Sequence, residues 1–134
     1  MFEALDIGAS GLLAQRVRLD TIAANVANIN TTHNARGERV PYRRRFATLM
    51  AGRAGDPTKP GVHVDAIHED TTPFQKRHEP GHPDADAEGN VRYPNIDLAF
   101  EMVNMMEASR AYEANVNLME VSKAMVNASL RLIA

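Results

Sequence analysis

Four histidines, His63, His68, His78 and His82, stand among the carboxylates Asp65, Glu69, Asp70, Glu79, Asp84 and Asp86. Imidazole with carboxylate is a common donor set for divalent metals, so this is where a metal-dependent reaction would be sought. The segment is rich in proline and reads as irregular, and ligand types without a scaffold to hold them are a weak signal. The reading is a hydrated acidic surface, with no metal and no cofactor. A second chemical feature is the basic run Arg43, Arg44 and Arg45, close to Arg36 and Arg39. Arginine clusters bind phosphate, but aromatic interleaving stops at Tyr42 and Phe46 and the chain carries a net charge of −2. No nucleic acid is expected. The arginines are read as charged interface candidates, with Asp84 and Asp86 as candidates for the opposing acidic face on a neighbouring subunit. No Ser, His and Asp grouping has the setting of a nucleophile elbow, so no catalytic residue is assigned.

Stepping from these residues to the elements that must carry them, the ends of the chain are helical. From Asn95 to the C-terminus there is neither glycine nor proline. A 4-3 spacing runs through Leu98, Met102, Met105, Ser109, Tyr112, Val116, Met119, Lys123, Val126, Leu130 and Ile133. It predicts a helix of roughly 55 Å with a heptad seam. A parallel line, Ala111, Leu118, Met125 and Leu132, widens the apolar face beyond what one partner helix covers. At the other end Leu5, Leu12, Leu19 and Val26 recur every seven residues, with Ile22 and Ile29 alongside. Gly8 and Gly11 weaken this first helix by about 1 kcal/mol each relative to alanine, yet allow a second helix to approach closely. The asparagine-rich run from Asn25 to Thr32 reads as a helix passing into a turn.

The expected fold is mainly α: long N- and C-terminal helices in a coiled-coil pair, around a small irregular, β-containing insert. Residues 1–32 form the first helix and its turn, 33–94 the insert, and 95–134 the second helix. Within the insert, strands are expected in Val40–Met50 and from Val62 to about Ile67, and Glu69–Glu88 reads as an irregular connection. Asn95 or Asp97 caps the second helix. With 134 residues, four Phe, three Tyr and no Trp, any core is thin. The absence of cysteine excludes disulfides and thiolate chemistry. The N-terminus opens on Glu3 and Asp6 without a contiguous apolar run, unlike a Sec signal, and no window is apolar enough to span a bilayer. The methionines at 102, 105, 106, 119 and 125 read as adaptable packing.

Several runs resemble the axial proteins of the bacterial flagellum. Ser10-Gly11-Leu12-Leu13-Ala14-Gln15 and Ala24-Asn25-Val26-Ala27-Asn28-Ile29-Asn30-Thr31 are similar to the signature shared by rod and hook members. Asp70-Thr71-Thr72-Pro73-Phe74, His82-Pro83-Asp84-Ala85-Asp86, Gly89-Asn90-Val91, Pro94-Asn95-Ile96, Glu101-Met102-Val103 and Ala108-Ser109-Arg110-Ala111-Tyr112-Glu113-Ala114-Asn115-Val116 resemble the short proximal-rod branch. Asn90 departs from it, standing where the family usually has an aromatic residue. The resemblance implies a non-enzymatic subunit that leaves the cell through the flagellar type III apparatus without a cleaved signal. It would polymerise in the periplasmic space into the rod of the basal body, a torque-bearing hollow shaft. Implied partners are copies of itself, other proximal-rod proteins, the distal rod, and the export gate and MS-ring region. A stand-alone coiled-coil adaptor is the alternative, distinguished by a stable small oligomer in dilute solution.

Overall fold

The computed structural model describes residues 2–133; Met1 and Ala134, the outer limits of the expected segments, lie outside it, as do the side chains of Phe2 and Ile133. Helix α1 spans Phe2–Ala27, strands β1 and β2 span Arg45–Ala51 and Val62–Glu69, β3 and β4 span Gln75–His78 and Asn90–Tyr93, and α2 spans Leu98–Ile133. Each strand pair is its own two-stranded antiparallel sheet. The expected long terminal helices around a small β-containing insert are present, with helices taking a little under half the chain.

α1 ends where the asparagines begin. The Asn28 side chain donates to the Ala24 carbonyl at 2.9 Å, and Thr31 N–H closes a turn on Asn28 O at 3.0 Å. The Ala24 carbonyl thus accepts both the Asn28 backbone N–H, at 3.1 Å, and its side chain, which fastens the last turn. α2 starts at an Asp97 cap, whose Oδ1 accepts from Ala99 N–H at 2.9 Å and Phe100 N–H at 3.3 Å. Asn95, the other expected cap, has a different task described below.

The helices run antiparallel, and their closest line is not the heptad leucines. A Cβ on Gly8 would lie 2.8 Å from Met119 Cγ, and one on Gly11 2.9 Å from Asn115 Nδ2. Further along, Arg18 reaches Glu107 at 3.3 Å and Asn25 reaches Glu101 at 3.0 Å. α2 presents Glu101, Ala108 and Asn115 to this line, with Ser122 and Ser129 continuing it at seven-residue steps. Gly8 and Gly11 of α1 and Ala108 of α2 let the backbones approach along this line. The two apolar seams do not meet along their length as a coiled coil: the contact line runs beside them and includes Met119 and Ile22.

β1 and β2 pair from Arg45↔Glu69 to Ala51↔Val62, with a register shift at Thr48/Leu49. Ser10 docks this hairpin on α1, its Oγ accepting from Val62 N–H at 3.1 Å and donating to Ile7 O at 2.7 Å. Gly61, at φ 138°, is the adjacent position where a side chain would be strained. Strand β3 falls where an irregular connection was expected. Its sequence, Gln75-Lys76-Arg77-His78, is exposed throughout and carries no apolar alternation to reveal it. Its partner β4 buries Val91 and Tyr93, which with Pro94 and Ile96 form the apolar centre of the insert. The core is thin, as expected, and the bulkiest fully buried side chain among the described residues is a carboxylate, Glu101.

Candidate assembly surface and the polar latch behind it

Five side chains lock the helix pair to the insert. The Asn25 amide, fully buried near the end of α1, pairs with the backbone of Arg45 as a strand would. Its Oδ1 accepts from Arg45 N–H at 2.9 Å and its Nδ2 donates to Arg45 O at 2.7 Å and to Glu101 Oε2 at 3.0 Å. Arg44 Nε donates to Glu101 Oε1 at 2.6 Å, and its Nη1 lies 3.4 Å from Asp70 Oδ2. Asn95 holds the same corner from the other side. It accepts from Arg44 N–H at 3.0 Å and donates to Asp70 O at 3.1 Å and Thr72 Oγ1 at 2.8 Å. Thr72 N–H and hydroxyl, with the Arg44 charge as a smaller contribution, hold the Asp70 carboxyl below its usual range. Both oxygens of the buried Glu101 are thereby occupied, as a carboxylate out of water requires.

Arg43 and Arg44 of the basic run are engaged within the subunit, while Arg45 stays largely exposed. Arg43 lies over the Phe74 ring at 4.3 Å and donates to Asp70 O at 2.9 Å. Arg45 pairs with Glu69 at 3.3 Å, with more than half of each side chain exposed. Arg44 is held by internal partners because folding brings Glu101 and Asp70 to it at once.

The histidines disperse. His63 Nδ1 meets Gly52 O at 2.9 Å, His68 stacks on Phe46, and His78 lies 3.3 Å from Asn90 Oδ1. His78 and His82 stand four apart, but His78 ends β3 and His82 lies in the following loop. Among the described residues no three His, Asp or Glu side chains converge on a metal position. Asp84 is instead a clasp: it accepts from Thr32 Oγ1 at 2.7 Å, and His33 Nε2 lies 2.7 Å from its other oxygen. The Thr32 hydrogen bond first, then the neighbouring His33, His82 and Arg39, hold this carboxyl below its usual range. Asp86 accepts from Glu88 and Asn90 N–H and so closes the hairpin loop.

Around the helix contact lie the apolar faces. On helices of about 3.6 residues per turn, Leu5, Leu12, Leu19 and Val26 fall a quarter-turn to one side of the Gly8–Gly11–Ile22–Asn25 line. The residues that meet the sheet, Ser10, Val17 and Thr21, fall to the other. On α2, Met102, Met105, Tyr112 and Val116 fall away from Phe100 and Asn104, which line a groove shared with β1. Both heptad lines thus border one side of the helix pair, opposite the sheet. The α1 leucines, Met105, Tyr112, Val116, Met119 and Val126 are half-buried, while Met102 and Leu130 are more than half exposed. The sheet side carries Phe100, Val103, Leu118, Val121, Met125 and Leu132, all at least half exposed. Of the signature residues, Asn25, Asn95 and Pro94 build the junction, and Asn28 caps α1. Phe74 seats Arg43, His82 packs edge-on to Tyr93, and Asn115 faces Gly11. Asn30, Pro73, Pro83 and Arg110 are exposed. Sequence reasoning placed Glu101 only in a run of resemblance and missed its buried role, although the line Glu101, Ala108, Asn115, Ser122, Ser129 was there as a signal of a close, polar helix contact.

Paired terminal helices with uncovered apolar stripes, fixed to a small stiff insert, define an axial assembly subunit. Two family models match: residues 5–36 match the flagella basal body rod protein model, and 87–132 the flagellar basal body rod FlgEFG protein C-terminal model. Similar relatives are the flagellar basal-body rod proteins FlgC of Bacillus subtilis, 39% identical over 98% of this chain and 97% of the relative, and of Borreliella burgdorferi, 35% identical over 99% and 97%. That of Salmonella typhimurium is 39% identical over 95% and 93%. The chain belongs to the FlgC family of flagellar basal-body rod proteins. It is a structural subunit of the flagellar basal body and not an enzyme. Among the described residues no helix is long and apolar enough to cross a membrane.

Proposed function

We propose that the subunit builds the proximal part of the rod, with residues 1–32 and 95–134 forming the packed wall of a hollow shaft and residues 33–94 bracing it. The observation that carries this reading is the unsatisfied apolar surface on both sides of the helix pair. One partner helix cannot cover it, and helices of neighbouring subunits can. Copies of this chain, other rod proteins, the distal rod, and the export gate and MS-ring region are the proposed neighbours in the periplasmic space. Coiled-coil packing is assigned here to contacts between subunits, with Leu5, Leu12, Leu19 and Val26 beside Met102, Met105, Tyr112, Val116 and Leu130 as the contact face. Close-packed helices resist torsional deformation, which suits a shaft that transmits torque. A chain without cysteine also passes the type III export channel with no disulfide to hinder threading. The test is complementation of a flagellated strain lacking its own copy. Met105→Glu and Tyr112→Glu place a charge in a packed layer and should abolish swimming while the purified subunit keeps its helix content. Normal swimming by either strain refutes the assigned face.

A further inference from the structure

The two helices differ in length, and the difference falls at one end. Contacts Gly8–Met119, Gly11–Asn115, Arg18–Glu107 and Asn25–Glu101 set a one-for-one antiparallel register. α1 therefore begins opposite Ala124, and residues 125–133 of α2 project past it by about 13 Å. This projecting stretch carries Leu130 and Leu132, 59% and 89% exposed. At the opposite end of the helix pair lies a groove of about 430 Å³ lined by Ile22, Phe46, Leu49 and Phe100 together with Arg18 and Arg45.

We propose that the projecting end of α2 docks in this groove on a second copy of the chain. The inference rests on the rod reading and gives it a direction. The complementarity is chemical as well as steric. The last turn of a helix presents carbonyls without intrahelical partners at the negative end of its dipole. Arg18 and Arg45 each hold one ion pair and have further N–H groups to give. Arg131, on the projecting turn, meets the exposed carboxylates Glu107 and Glu69 that flank the same arginines. Leu130 and Leu132 fill a groove whose Phe46, Leu49 and Phe100 are otherwise left partly in water. Within one chain the contact cannot form, since Phe100 and Leu132 are separated by about 48 Å of helix. An end-to-side contact of this kind is heterologous, so repeated from copy to copy it builds a ring or an open filament rather than a two-fold dimer.

The absence of cysteine permits a clean test. Leu49→Cys and Leu132→Cys are prepared as separate full-length variants of different tag size. Circular dichroism confirms their helix content, as both side chains are exposed. They are mixed in equal amounts at high concentration and oxidised. Docking predicts that the mixed disulfide dimer exceeds either homodimer by about fivefold or more, against the roughly twofold excess of random collision. A statistical mixture, a dominant Leu132→Cys homodimer, or no cross-link at all overturns the docking. Any of these leaves the rod reading to its own test, the swimming of Met105→Glu.

Discussion

Removing the Glu101 carboxylate should unfasten the insert from the helices, and the structure sets the size of the effect. Glu101 is fully buried, receives Arg44 Nε at 2.6 Å, and receives the fully buried Asn25 amide at 3.0 Å. In Glu101→Ala the guanidinium keeps only Asp70 at 3.4 Å, and its side chain, 15% exposed, has little water to turn to. Breaking a buried pair from one side costs about 3–5 kcal/mol, and the longer Asp70 contact keeps the loss near the lower end. Glu101→Gln preserves volume and one acceptor, but its amide N–H₂ then confronts either Arg44 or Asn25, both donors. A loss of about 2 kcal/mol follows, the scale of a hydrogen bond to a charged group. Against a total stability of about 5–15 kcal/mol these are large fractions. Denaturant unfolding followed by circular dichroism gives the stabilities. Amide exchange at Arg45, whose N–H is held by Asn25 Oδ1, reports whether the latch opened locally. A double-mutant cycle with Arg44→Met isolates the pair. A Glu101→Ala protein within about 1 kcal/mol of the parent, with Arg45 still protected, would refute the assignment of Glu101 as the fastener.

Gly11→Val should cost about 1–3 kcal/mol despite glycine's poor helix propensity, because the new Cβ meets the whole Asn115 side chain; thermal unfolding measures it. Asp97→Ala should remove about 1 kcal/mol and lower helicity at the start of α2, as seen by exchange at Ala99 and Phe100. Asp70 and Asp84 have folded-state values below their unfolded ones, so their contribution is present above about pH 4 and is lost as acid protonates them. The unfolding midpoint should therefore fall as pH drops below about 4, and Asp84→Asn should show a shallower fall than the parent. An identical acid profile in that variant would count against the clasp.

Much of the organisation was legible in the order of residues. Period is a local property, so the 4-3 spacing of α2 and the seven-residue recurrence of α1 marked both helices before any packing was known. The asparagine run from Asn25 marked the end of the first. β2 was visible because Val62, Val64 and Ala66 alternate with polar residues. β3 was not, because Gln75-Lys76-Arg77-His78 has no buried face and is held by pairing to Val91 and Tyr93. The internal partners of Arg44 were not legible, because charge in a sequence carries no sign of its partners and Glu101 and Asp70 lie far away along the chain.

By itself, then, the sequence determined that two long helices with surplus apolar surface enclose a small, cysteine-free insert, and its signature runs pointed to the flagellar axial proteins. Only the tertiary structure decided which strip of α2 meets α1. Periodicity marks every apolar line on a helix equally, whereas contact selects the line where two backbones can come close. Here that is the strip of Glu101, Ala108 and Asn115 against Gly8, Gly11 and Asn25, and the choice leaves the Leu5–Leu12–Leu19 and Met105–Tyr112–Val116 lines half-buried beside the contact.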